Sequence, residues 1–323
     1  METIKPTERV QVSPESIPRF CILVNAGSGK QNGAGAFEKI ENAVNKQGLL
    51  TEIRRLDAQQ DIEIQARSAL ADGYRIIVAA GGDGTICAVA AAVAQSSTAV
   101  LGIIPLGTFN YFARSLGLSG DIPEAVRVLA AEHTKSMGLG YVNDRIFLNN
   151  ASLGAYPAIL ETREKIYRNW GRSRIAAYWS VGVSLWQQRG YLVAEITDDH
   201  VKRRVKTAMI MCVSNAFQLR EMQLREADKV NGLQMALYIA RQRSSSQLFK
   251  SAWRLMRRAP QKMLDYDVLI GSDFTVRTRR TRQKVARDGE WHSETGPFRF
   301  HLKPDGLRVI IPEPKDNLPT AVK

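Results

Sequence analysis

Cysteine is scarce, with three in 323 residues: Cys21, Cys87 and Cys212, each in an apolar strand or helix context. A disulfide framework is excluded, and no spacing matches a zinc ligand set. The pattern reads as buried free thiols in a reducing compartment, so a cytoplasmic location is expected. Histidine is as sparse, with four residues; His133, His200, His292 and His301 are scattered, with no His–Cys–carboxylate cluster. No apolar run has the length needed to span a bilayer. Residues 1–17 are polar and are expected to form a loose leader rather than a signal peptide. No zinc finger or RNA-binding aromatic motif is present, so nucleic acid is not an expected partner. The serine of Asn150-Ala151-Ser152-Leu153-Gly154 does not sit in the G-x-S-x-G elbow of a hydrolase, which counts against acyl transfer.

Acidic residues are the minority: Lys and Arg number 45, Asp and Glu 32, and the net charge is +13. The cations cluster late in the chain, at Arg203, Arg204 and Lys206, at Arg254, Arg257, Arg258 and Lys262, and from Arg277 to Arg287. Such clusters are either a solvated basic face or a surface that meets anionic lipid. At this length the chain buries a full core and is expected to divide in two.

The stretch with most information runs from Arg75 to Leu118. The apolar runs Ile76–Ala80 and Val100–Ile104 are each short enough and bounded sharply enough to be buried strands. Each ends in a glycine-bearing loop that leads into a helix, the arrangement in which parallel strands deliver loops and helix N-termini to one crevice. After the first comes Gly81-Gly82-Asp83-Gly84-Thr85, whose glycines permit a tight turn and close approach to a ligand. Amides at such a turn, with the start of the next helix, form an anion site. Asp83 suits a magnesium ion or a sugar hydroxyl better than a phosphate; a helix N-cap is its plain structural alternative. After the second run, Pro105-Leu106-Gly107-Thr108-Phe109-Asn110 sets Thr108 and Asn110 at a neighbouring strand end.

A first strand is expected at Phe20–Val24, opening into Asn25-Ala26-Gly27-Ser28-Gly29-Lys30. That loop has neither Walker A nor G-x-G-x-x-G spacing, yet its amides, Asn25 and Ser28 can still cradle phosphate. Helices at 35–45 and 59–71 flank a strand at 50–56, and Asp121 caps a helix that runs to about Ala131. The short crossovers predict a three-layer α/β domain with a parallel sheet. The rhythm changes near Lys135. A hairpin is centred on Asn143-Asp144, and a long amphipathic stretch at 158–186 packs on a sheet or faces a membrane. Strands follow at 191–197, 206–213, 232–239, 263–270, 273–279, 283–286, 298–302 and 307–311, with a helix at 246–258 between them. This succession predicts an antiparallel β-sandwich, with a polar, frayed tail.

Taken together, Gly81–Thr85 (GGDGT) and Pro105–Arg114 (PLGTFNYFAR) resemble the diacylglycerol kinase catalytic-domain family, which includes sphingosine kinases and bacterial lipid kinases. Val24–Gly29, Leu148–Gly154 (LNNASLG), Val213–Phe217 (VSNAF) and Arg287–Glu290 (RDGE) support the resemblance, which covers Phe20 to Ile311. It implies an α/β nucleotide-binding domain at 18–134, of the NAD-kinase and diacylglycerol-kinase type, and a β-sandwich acceptor domain at 135–312. The active site would lie in the cleft between them, the last strand would return to the first domain, and residues 1–17 and 313–323 would be tails. It further implies an ATP- and Mg²⁺-dependent lipid kinase whose acceptor is a diacylglycerol-like, sphingoid or related lipid with a free hydroxyl. Peripheral contact with an anionic membrane is expected, and a homodimer is left open.

Residue by residue, the resemblance places Asn25, Ser28, Gly81, Gly82, Asp83, Gly84, Thr85, Gly107, Thr108 and Asn110 around the nucleotide. Asp288 resembles the general base and Glu290 is expected to help hold magnesium together with Asp83. On an extended strand Asp288 and Glu290 would share a face; the plain alternative for Asp288-Gly289 is a hairpin turn. Two departures stand out. Tyr111 replaces the family's aspartate, and its structural alternative is core packing beside Phe112. The segment Ala227–Leu233 offers only Asp228 as a carboxylate, with Lys229 opposing a cation, where the family carries a metal-binding turn. Two other readings remain: an NAD-kinase-like enzyme acting on a small polar acceptor, and a non-catalytic nucleotide or anionic-lipid binding module.

Overall fold

The computed structural model describes residues 20–25, 33–56, 60–155, 157, 191–198, 201–221, 225–230, 233–241 and 266–313. The expected loop residue Ser28, the stretch at 158–186 and the helix at 246–258 lie outside the described residues.

The first half is α/β. Strands β1 (Phe20–Asn25), β2 (Thr51–Leu56), β3 (Ile76–Gly81) and β4 (Val100–Pro105) pair in parallel in the order β2-β1-β3-β4. Every residue of β3 and β4 is buried, as expected of central parallel strands covered on both faces. Helices α1 (Gly33–Gln47), α2 (Ile62–Ala71), α3 (Asp83–Val93), α4 (Tyr111–Ser115) and α5 (Ile122–Ala131) cover them. Asp121 caps α5 as expected, accepting from the Glu124 amide, and Asp61 caps α2, accepting from the amides of Glu63 and Ile64, so that helix begins at Ile62 rather than at 59.

The second half is all-β. One six-stranded antiparallel sheet contains β7 (Asn150–Gly154), β10 (Met209–Val213), β11 (Met235–Ala240), β12 (Tyr266–Gly271), β14 (Arg282–Arg287) and β15 (Glu290–Thr295), in the order β12-β11-β10-β7-β14-β15. Its inner face, with Leu153, Ile210, Cys212 and Leu237, packs against Ile196, Phe274, Val276, Phe298 and Phe300 of the opposing sheet. On its outer face a small cluster forms around Leu219 of helix α6 (Ala216–Glu221), together with Val213 and Tyr238.

The opposing sheet is the same ten-stranded sheet that begins with β2. Beyond β4 it continues through β16 (Phe298–Ile310), β13 (Asp273–Thr278), β8 (Leu192–Thr197) and β9 (Lys202–Thr207). Strand β5 (Thr134–Val142) pairs with β16 and with the short β6 (Arg145–Phe147). At one end of β16, Val309 is in parallel register with Leu101 of β4; at the other, Phe298 lies opposite Val276 of β13. One strand thus stitches both halves.

Four strand-level expectations are corrected. The runs at 298–302 and 307–311 are one strand, with a register shift between Lys303 and Leu307 where Asp305 adopts a positive φ of 49°. Lys303-Pro304-Asp305-Gly306 reads as a turn, but it is a bulge that bends a continuous strand. The run at 206–213 is two strands, β9 and β10, separated at Ala208. Glu290–Thr295 forms a further strand, β15, at the sheet edge, where its polar sequence EWHSET carries no apolar alternation. Asp288 and Glu290 do not share a face of an extended strand, since Arg287 pairs with Glu290 and Asp288-Gly289 is the turn between β14 and β15.

Gly102 of β4 lies under α5: a Cβ there would come within 2.7 Å of a Leu129 methyl and 2.8 Å of a Val78 methyl. Gly102→Ala is therefore expected to lower stability by about 1–3 kcal/mol through overpacking, read as a lower urea midpoint at unchanged slope.

Candidate functional site

The turn after β3 is set by side-chain size. A Cβ on Gly81 would lie 2.5 Å from the Thr85 hydroxyl oxygen, so the chain can fold back onto α3 only with glycine there. Thr85 is buried, and Asn25 at the end of β1 donates from Nδ2 to its Oγ1 at 3.0 Å. Helix α3 begins at Asp83 with Gly82 as its N-cap and no side-chain cap hydrogen bond. Its N-terminus thus keeps the open, glycine-lined form that suits an anion.

The turn after β4 packs directly on this one. A Cβ on Gly107 would come within 2.6 Å of both Gly82 Cα and Asn110 Oδ1. Asn110 adopts the left-handed conformation, with φ 49° and ψ 44°, and its Nδ2 donates to Gly107 O at 2.9 Å. Its buried Oδ1 has no hydrogen-bond partner. A buried acceptor left open is costly unless a ligand supplies the donor. Thr108 is exposed beside it. Asp83 ties the two turns together, its Oδ1 accepting from the Phe112 amide at 3.4 Å. Burial pushes the Asp83 carboxyl above its ordinary value, opposed by amides at the start of α4. Tyr111 does not share the core position of Phe112. It stacks on the exposed Phe109, with ring centroids 5.6 Å apart and planes 2° from parallel, while Phe112 alone is buried.

The acidic hairpin closes on these turns from the other half. Asp288 and Gly289 have φ of 46° and 94°, both left-handed, as the tight two-residue hairpin turn requires. The Asp288 carboxylate lies against the start of β7. Its Oδ2 accepts from the Leu148 amide at 2.6 Å, and its Oδ1 from the amides of Asn149 at 2.8 Å and Asn150 at 3.2 Å. The Cys87 thiol of α3 lies beside it. Cys87 is not fully buried as expected; it is half-buried in the cleft beside Asp288. Glu290 is exposed, and its Oε1 lies 3.0 Å from where a Gly84 Cβ would be. The glycine turn and the acidic hairpin therefore touch.

Two motifs with no role assigned from sequence turn out to support this hairpin. Asn149 Oδ1 accepts from Asn215 Nδ2 at 2.9 Å, and Asn215 Oδ1 accepts from the Phe217 amide at 3.0 Å. Ser214 Oγ donates to Leu148 O at 3.2 Å. LNNASLG and VSNAF are thus one buried amide network holding the backbone on which Asp288 rests. Phe217 in turn lies under the Arg114 guanidinium at 5.1 Å, which ties this network to α4. The only sequence sign of it was the recurrence of asparagine in both segments.

Between the halves, beside Asp288 and Glu290, runs a cleft of about 1050 Å³. Along α3 it is lined by Gly84, Cys87, Ala88 and Ala91, with Arg67, Asp144, Arg145, Arg287, His292 and Glu294 facing them. Elsewhere, the exposed Asp228 lies 3.7 Å from Arg220, and among the described residues no group of three His, Cys, Asp or Glu side chains could hold a metal. No described helix is long and apolar enough to cross a membrane.

In architecture the chain matches a solved structure titled as a diacylglycerol kinase from Bacillus anthracis str. Sterne. The TM-score is 0.65 over 92% of this chain and 97% of that one, at 19% identity, a likeness of fold. Residues 19–142 match the family described as "Diacylglycerol kinase catalytic domain". A diacylglycerol kinase from Staphylococcus haemolyticus is 37% identical over 134 residues, covering 41% of each chain. Another from Staphylococcus epidermidis is 34% identical over 150 residues, 46% of this chain and 48% of that one. The matched stretch thus spans under half the length of these curated relatives. The resemblance read from GGDGT and PLGTFNYFAR is borne out in the part of the chain that carries them.

Burial raises the Asp288 carboxyl above its ordinary value of 3.8 despite its amide donors. A group raised on folding favours the native state while protonated, and that advantage is lost as pH rises through its native pKa. The wild type is therefore expected to lose stability relative to Asp288→Asn as pH climbs from 3.8. At neutral pH it should remain the more stable by roughly 2 kcal/mol, because an amide Nδ2 cannot accept from those backbone donors. Denaturant melts of both proteins across the acid range would check both.

Proposed function

We propose that this chain is a lipid kinase that transfers the γ-phosphoryl group of ATP to a hydroxyl of a diacylglycerol-like or sphingoid lipid. The observation that carries this reading is the contact of Glu290 Oε1 with Gly84, where an acidic group meets an anion-binding turn across the interdomain cleft. The domain division at about 134 and the nucleotide-facing residues read from sequence belong to the same proposal, which moves the base from Asp288 to Glu290.

The residues present fit a nucleotide. Gly81–Thr85 offer backbone amides at the uncapped start of α3, and the orphaned Asn110 Oδ1 asks for a donor. They also fit Mg²⁺, which is commonly bound by one or two carboxylates plus substrate phosphates. Asp83, already engaged by the Phe112 amide, would reach the ion through water, which leaves the exposed Glu290 carboxylate to the acceptor hydroxyl. When bound, the ion neutralises charge on the phosphoryl oxygens.

A carboxylate has about four acceptor sites, and three of those of Asp288 are taken by backbone amides. This favours Asp288 as the group that fixes the hairpin, and Glu290 as the carboxylate that takes the acceptor hydroxyl's proton while the bond to phosphorus forms. Leu148–Asn150 and Asn215 position Asp288. The glycine turns hold the phosphates and exclude side-chain bulk from the reacting centre.

A second reading, an NAD-kinase-like enzyme with a small polar acceptor, is favoured by the charged lining of the cleft. A transfer assay with labelled γ-phosphate separates the two. The lipid reading expects label in diacylglycerol or sphingoid micelles, and a loss of about 10²–10⁴ in kcat for Glu290→Gln. Label in a dinucleotide but in no lipid would establish the second reading, and unchanged kcat in Glu290→Gln would remove Glu290 as the base.

A further inference from the structure

The far end of the ten-stranded sheet carries a second charged surface, away from the cleft. In β8 the buried residues Leu192, Ala194 and Ile196 alternate with half-exposed Val193, Glu195 and Thr197. Strand register then fixes which neighbours share the outer face. Arg277, Glu195 and Arg204 form one row across β13, β8 and β9. Arg279, whose amide donates to Val193 O at 3.1 Å, extends the next row with Val193 and Lys206. Lys202 lies one row to the other side, opposite Thr197. All five cations are exposed. The acid in these rows, Glu195, is held by Lys202 at 3.0 Å. Rows on one face recur every second residue, about 7 Å apart, so the cations form a lattice on the sheet face.

The geometry points to this face as the docking surface for an anionic lipid bilayer. Three features select a bilayer over nucleic acid. The outward positions of these strands are Val193, Thr197, Thr275 and the charged residues, with no aromatic of the kind that sheet-binding proteins use to stack bases. The cations are spread over three strands of one sheet face rather than along a single line, and such a spread suits an extended array of headgroups. At its margins stand Tyr191, 38% exposed with Lys206 Nζ 4.8 Å from its ring centre, and Val201, 51% exposed. They stand at opposite ends of the β8–β9 hairpin, and an aromatic ring with a polar tip is a residue type that settles at the headgroup level. The hairpin β14–β15 connects this end to the cleft.

Co-sedimentation of the full chain with vesicles tests this without nucleotide, and so independently of the kinase reading. Binding to phosphatidylglycerol-containing vesicles is expected at low salt, with little binding to phosphatidylcholine alone and release at high salt. Replacing Arg204, Lys206 and Arg277 by Gln should lower partitioning about a hundredfold, at about fivefold per cation. Replacing Lys39, Lys46 and Arg127 by Gln removes the same charge from α1 and α5 and should change it far less. Lys206→Glu alone should weaken binding and serves if the triple variant folds poorly. Equal losses in the two triple variants, no binding of the wild type to anionic vesicles, or binding to single-stranded nucleic acid in preference to vesicles would each overturn the assignment.

Discussion

The site depends on a carboxylate resting on three backbone amides. Asp288 bonds the amides of Leu148, Asn149 and Asn150, about 140 residues earlier, and so docks the tip of an edge hairpin onto the middle of the molecule. Without that clamp β14–β15 would be anchored mainly through Val285–Arg287 opposite Ala151–Leu153, and its turn would be free to move. With it, Glu290 is delivered to Gly84 within contact distance. Leaving buried amides without an acceptor costs about 1–3 kcal/mol each, more than a surface ion pair contributes, so the clamp is worth keeping although burial raises the Asp288 carboxyl. The position of one side chain at the cleft is thus fixed by the backbone of another segment.

A second constraint keeps the two sides of the cleft in register. The strand β16 belongs to both halves, parallel to β4 at one end and antiparallel to β13 at the other, and β5 runs beside nearly its whole length. A two-domain protein joined by a linker would leave the turn-to-hairpin contact to hinge motion. Here one sheet crosses the boundary, and the bulge near Asp305 supplies the bend that lets it curve from one core to the other. Leu139, Leu307 and Val309 sit in the first core and Phe298, Phe300 and Leu302 in the second.

Much of this was legible because parallel strands buried on both faces read as apolar runs, as β1, β3 and β4 do, and because glycines mark turns that admit no Cβ. The hairpin turn at Asn143-Asp144 and the cap at Asp121 were equally visible, being local. What escaped was non-local or carried by polar residues. Glu290–Thr295 pairs as an edge strand with no apolar alternation to announce it. The turn-like Lys303–Gly306 is spanned by strand because β5 pairs on either side of it, which local propensity does not report. The role of LNNASLG lies in its amides, and an amide leaves no signature in a side-chain sequence. Cys87 looked like core because its neighbours on α3 are alanine and isoleucine; its contact with Asp288 comes from the opposite half.

The charge distribution shows why a protein with a net charge of +13 can still have an acid-rich cleft. Asp61, Glu63, Asp144, Asp288, Glu290 and Glu294 line it against Arg67, Arg145 and Arg287, and Glu63 and Glu294 are already matched by Arg67 and Arg287. A nucleotide's phosphates would gain little from that lining; their attraction has to come from oriented amides, whose partial charges act only at contact range, and from a divalent cation shared with the carboxylates. The exposed cations of β9 and β13 act differently, over a Debye length of about 10 Å in ordinary salt, and favour extended anionic surfaces without regard to shape. Long-range attraction and short-range selection therefore occupy separate parts of the fold. A face that favoured extended anionic partners would not compete with the glycine turns for a phosphate, and an acid-lined cleft would disfavour stray polyanions.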